Sequence, residues 1–145
     1  MKILAPLIVV AIVLTSCITG LKMLSESNDW KSNIAILMKE VDKLEPDGDW
    51  KCLFIPSKSD KDTGYAIFKK IEGKSWGLAV LGPDGAVIAG YSEPDGSYYI
   101  SYGPFSAPIS EQDFEKMAEE WVGFVLNDGD LDKAGRFNPA GGTET

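Results

Sequence analysis

The residue types that most often carry out protein chemistry are scarce in this chain. No His occurs among the 145 residues, which removes the commonest general base and the commonest zinc ligand. Cys17 and Cys52 are the two cysteines. Cys52 alternates with Trp50 and Phe54 on a strand-like run and has no imidazole to draw off its proton, so it reads as a small core hydrophobe and not as a nucleophile. No Ser-x-x-Lys or Gly-x-Ser-x-Gly string activates a serine, which leaves a hydrolase built on carboxylates or a Ser/Lys pair as the weakest reading. Asp128, Asp130 and Asp132 alternate like the opening of a calcium loop. Lys133 then stands where Gly is needed, and Pro139 stands where a bidentate Glu belongs, so no metal and no cofactor is expected. Tyr91, Tyr98, Tyr99, Tyr102 and Phe105 gather near one hairpin and form a candidate recognition surface, although cross-strand packing explains much of the same pattern.

Cys17 differs from Cys52 because of what precedes it. Lys2 gives a short positive start, Ile3 to Leu14 runs apolar around Pro6, and Leu14-Thr15-Ser16-Cys17 closes the segment. An apolar run of about 7–15 residues is that of a signal-peptide core. The closing tetrad resembles the lipobox of bacterial lipoproteins. That resemblance implies a diacylglyceryl group on the Cys17 thiol, cleavage just before it, and often a further acyl chain on the new amine. Two or three chains, at about 0.8 kcal/mol per buried CH₂, anchor stably where one does not. Ile18 takes the place where Asp usually signals inner-membrane retention, which favours the outer membrane in a Gram-negative host. Two alternatives stay open. A retained transmembrane helix is one, since Ile3 to Leu21 is 19 residues without a charge and about 20 are needed to span a bilayer. A plain cleavable secretory peptide is the other. All three place residues 23–145 outside the cytoplasm.

Charge narrows the partners. The full chain carries −8, and removing Lys2 with the leader leaves it one unit more negative. Such an excess disfavours nucleic acid and anionic headgroups as charge-driven partners. The partners expected are therefore a membrane, reached through the N-terminal lipid, and an envelope protein.

The elements that position these residues follow from periodicity. Residues 1–16 form the leader, 17–27 the lipidated cysteine and tether, 28–127 a single α+β domain, and 128–145 a flexible acidic tail. Trp30, Ile34, Leu37, Met38, Val41 and Leu44 share one helical face over 28–45, with Ser27 or Asn28 as cap and Pro46 as stop. Strands are predicted at 50–55, 64–71, 76–81, 86–91 and 98–102. Three Pro-Asp-Gly turns at 46–48, 83–85 and 94–96 punctuate the chain, and the last two set bulged hairpins. That register pairs Val80 with Ile88 and Ile88 with Tyr102, and aligns Leu78, Gly90 and Ile100. Trp76, Leu78, Val80, Ile88, Ile100 and Tyr102 then form a bulky face, with Gly77, Ala79, Ala89, Tyr91, Tyr99 and Ser101 opposite. Residues 103–109 read as a Pro-containing loop. Ser110 caps a second helix whose apolar face holds Phe114, Met117, Ala118, Trp121, Val122 and Val125. The expected fold is a five-stranded antiparallel meander with both helices on one face, similar in outline only to profilin-like and roadblock-like domains, a likeness that carries no function.

The functional expectation is a membrane-anchored, non-enzymatic module that binds an envelope protein or a ligand. The alternative is an N-terminally anchored single-pass protein with a small-ligand sensor, its pocket opened between sheet and helices where Gly77, Ala79 and Gly90 leave space.

Overall fold

The computed structural model describes residue 24, residues 29–138 and residues 142–144. Cys17, the apolar leader and most of the tether lie outside the described residues.

The first helix, α1, covers Trp30–Asp42. Its cap is Asp29, whose carboxylate accepts from the Lys31 N–H, and not Ser27 or Asn28. Six strands follow as β1 Trp50–Pro56, β2 Gly64–Lys70, β3 Trp76–Gly82, β4 Gly85–Ser92, β5 Tyr98–Tyr102 and β6 Phe105–Ile109. The second helix, α2, covers Glu111–Asp128, and its cap Ser110 accepts from the Asp113 N–H as expected. A short 3₁₀ turn at Leu131–Lys133 leads to β7 Gly135–Asn138 and β8 Gly142–Glu144.

These strands make one antiparallel sheet in the order β6-β5-β4-β3-β2-β1-β7-β8. The expectation of five strands, and the profilin-like outline built on it, is therefore corrected to eight strands among the described residues. The added strands have physical explanations. The prolines in and just before β6 suggest a loop, yet Gly103 takes φ +53 and with Pro104 forms a two-residue turn of the Gly-first hairpin kind. Tyr102 and Phe105 then close that hairpin as a pair. Alternation of the antiparallel ladder turns Pro108 toward the open edge, where a missing N–H costs no bond. β7 and β8 lie in the stretch read as a tail. β7 adds to β1 through Leu53–Arg136 and Phe54–Gly135.

The central register matches the reading from sequence. Val80 pairs with Ile88, and the β3–β4 ladder shifts register between Val80 and Leu81, a bulge. Ile88 pairs with Tyr102, and Gly90 with Ile100. All three Pro-Asp-Gly glycines take positive φ, the conformation that favours Gly.

Both helices lie on one face. Leu37 and Val41 of α1 and Ala118, Trp121, Val122 and Val125 of α2 share a buried cluster with Leu53, Ile55, Tyr65, Ile67 and Leu78. Trp121 anchors α2 further, donating its indole N–H to the Ala79 carbonyl at 2.9 Å. Phe114 packs on Trp76 at 5.2 Å and on Tyr98 at 4.6 Å between ring centroids. Leu24, in the stretch read as a tether, is fully buried in the same cluster.

Candidate functional site

The hairpin β5–β6 and the outer flank of α2 together build an exposed apolar shelf. Tyr102 and Phe105 lie side by side across the hairpin on the helix-bearing face. Ile88 of β4 pairs with Tyr102 and extends the surface toward α2. On α2, Met117, Glu120 and Phe124 fall at helical spacings of three and four, so one flank carries all three. Between that flank and the strands is a notch of about 60 Å³ lined by Val80, Ile88, Met117, Glu120, Trp121 and Phe124. Tyr102 is 56 % exposed, Phe105 77 % and Phe124 51 %. Phe124 lines the notch, and Tyr102 and Phe105 follow from its Ile88 wall by strand pairing; three large aromatics this accessible on one side of a sheet are unusual for a surface with no partner. The notch accepts one side chain and is far below the several hundred Å³ of small-molecule sites.

The five aromatics predicted as one surface do not stay together. Tyr98 faces inward and packs on Phe114. Tyr91 and Tyr99 stack at 5.7 Å on the opposite face of the sheet, where the Tyr91 hydroxyl lies 3.2 Å from that of Ser106. Tyr102 and Phe105 alone reach the shelf. Phe124 completes it and was missed, because it borders the apolar stripe of its helix; an aromatic three positions after Trp121 was the available signal.

The space expected at the glycines is filled, and the notch at Ala79 is what remains between the sheet and α2. A Cβ at Gly90 would lie 1.9 Å from the Met117 methyl carbon on the helix side, and one at Gly77, on the opposite face, would lie 2.5 Å from the Phe68 ring. The missing side chains at these glycines are replaced by neighbours and leave no cavity there.

Asp128 proves to be a clasp. One carboxylate oxygen accepts from the Ser57 hydroxyl at 2.5 Å and from the Tyr65 hydroxyl at 2.6 Å. The other accepts from the Ser59 N–H at 3.0 Å. The hydroxyls of Ser57 and Tyr65, then Ser59, hold this carboxyl well below the usual carboxylate range. A carboxylate whose oxygens are occupied by three donors is poorly placed to act as a general base toward Ser57 or to ligate a cation. Asp130 donates its N–H to the Pro56 carbonyl, and Asp132 lies exposed on the 3₁₀ turn. Among the described residues, no group of three acidic, Cys or His side chains is arranged to hold a metal. Burial pushes the Cys52 thiol up to about 12, which leaves almost none of it as the reactive thiolate at neutral pH.

No protein-family model matches the chain, nor does any curated protein or solved structure. The shelf's chemistry therefore rests on its own geometry. It combines an apolar floor, exposed aromatic rims and, at the notch, the acidic Glu120. Asp113, one turn before Met117, adds a second carboxylate near the same flank. Surfaces of this type are suited to protein recognition, with aromatic anchors at the centre and charge at the border.

Proposed function

We propose that the chain is an envelope-held recognition module that docks a partner protein on the shelf of Tyr102, Phe105 and Phe124. The partner supplies one apolar side chain for the notch and a basic surround for Glu120 and Asp113. The carrying observation is the 60 Å³ notch lined by the exposed Phe124, on the same sheet face as the exposed Tyr102 and Phe105, which suits a protein side chain better than a metabolite. The anchor in this reading is Cys17, on the strength of the Leu14-Thr15-Ser16-Cys17 tetrad. The chain's excess negative charge would steer a cationic partner.

A photo-crosslinking residue in place of Phe105, expressed in native membranes, tests the docking. It should capture a discrete protein, lose it at high salt, and lose it when Phe124→Ser is added. The same residue in place of Tyr91 should capture nothing. Capture that is indifferent to Phe124→Ser, or equally strong from position 91, overturns the shelf. Intact mass of the mature protein tests the anchor separately: acyl mass on a chain starting at Cys17 supports it, and a chain starting at Met1 favours the retained helix.

A further inference from the structure

A second concavity lies on the sheet face turned away from the helices, between the β1–β2 loop and the β3–β4 turn. Its volume is about 500 Å³. Phe54 and Phe137 form an apolar wall, with ring centroids 5.7 Å apart and planes inclined at 56°. Gly64 makes this wall: a Cβ there would lie 2.3 Å from the Phe54 ring, so the ring rests on bare backbone. Lys61, Asp62 and Asp84 stand at the opening.

The loop that carries Lys61 and Asp62 is fixed. Asp60 accepts from the Asp62 N–H at 2.9 Å and from the Thr63 hydroxyl at 2.8 Å, an arrangement that sets a tight turn. Asp84 rides the turn whose Gly85 takes φ +116. Lys61, Asp62 and Asp84 are all exposed, and none is in an ion pair among the described residues.

This rim carries charge of both signs beside an aromatic wall. A simple anion meets two carboxylates, and a simple cation meets Lys61. A neutral polyol can donate to the carboxylates and stack on the rings but leaves the Lys61 charge without a counter-charge. A zwitterion satisfies all of them, with its carboxylate toward Lys61, its ammonium toward Asp62 and Asp84, and its side chain against Phe54 and Phe137. The volume is that of a small-molecule site. We propose that this cleft binds a free amino acid or short peptide bearing an apolar side chain. The site is separate from the docking shelf and does not depend on it. Because its charges are exposed, binding should weaken as salt rises.

Backbone NMR on the full-length protein in detergent tests this at low salt, with L-phenylalanine as the probe. Its addition should shift the Gly64, Gly82 and Gly85 amides. N-acetyl-L-phenylalanine lacks the ammonium and L-phenylalaninamide lacks the carboxylate, and each should bind at least about tenfold more weakly, which is about 1.4 kcal/mol. Lys61→Gln should abolish the preference over phenylalaninamide. Asp62→Asn with Asp84→Asn should abolish the preference over the N-acetyl compound. Capped compounds that bind as well as the parent overturn the proposal. So do shifts produced by glucose and not by phenylalanine, or amides that stay unmoved at about 10 mM, a concentration that detects even very weak binding.

Discussion

Asp128 shows how one side chain can join distant parts of a chain. It belongs to the last turn of α2, and it holds Ser57 and Ser59 of the β1–β2 loop and Tyr65 of β2. Its folded pKa lies below the ordinary value of 3.8. Its contribution is therefore complete above about pH 4 and is lost as pH falls through that value toward the depressed one. Asp128→Asn should lower the melting temperature at pH 7 and flatten the acid limb of the stability–pH curve; scanning both proteins from pH 7 to pH 3 checks this. Tyr65 is coupled in the opposite sense. Burial first, and then its bond to Asp128, raise its phenol to about 12. The stability this gives is present below about pH 10, the ordinary tyrosine value, and lost as pH rises toward 12. Tyr65→Phe should cost about 1.5 kcal/mol in urea denaturation, the worth of a hydrogen bond to a charged group. Cys52 should resist alkylation at neutral pH until the protein is unfolded, because its thiol is held protonated by burial.

At the scale of elements, the sheet depends on glycines covered by rings. Gly77 lies under Phe68, and its Cβ position is 2.6 Å from the Gly90 carbonyl oxygen as well. A ring can swing aside and a backbone carbonyl cannot, so Gly77→Ala should cost about 2–3 kcal/mol by overpacking. Gly90→Ala presses on the flexible end of Met117 and should cost less; paired urea curves separate the two. Ser110→Ala should cost about 1 kcal/mol through loss of the α2 cap. The central meander was legible from sequence because alternation and turn chemistry agreed. Pro-Asp-Gly set the loop length, and only one register then put Val80, Ile88 and Tyr102 on the same side. β6 was illegible because proline signals a break without saying which way its nitrogen faces. β7 offers only Gly-Arg-Phe-Asn, too short and too polar for a periodic signal. The shelf was half legible. Alternation alone parts Tyr91 and Tyr99 from Tyr102, whereas the approach of Phe124 depends on how α2 crosses the sheet, and no local pattern encodes that.

At the scale of the whole molecule, Leu24 ties the domain to what precedes it. It is buried without exposure among core residues, so Leu24→Ala should cost about 2–4 kcal/mol in chemical denaturation. Only six residues lie between it and Cys17, a reach of at most about 25 Å. A lipid on Cys17 would thus hold the domain close against the bilayer, with little freedom to project.

The pairing of β7 with β1 also governs the order of assembly. Leu53 and Arg136 meet across roughly 80 positions of chain, a costly closure in folding kinetics. As the polypeptide emerges, one side of β1 waits as an open row of peptide groups until β7 arrives. A nascent or clipped chain lacking residues 135–145 would present that row to its neighbours, and such edges recruit other strands. β7 thus acts as a stopper against self-association, and deleting residues 135–138 should give soluble aggregates by light scattering where the intact protein remains dispersed.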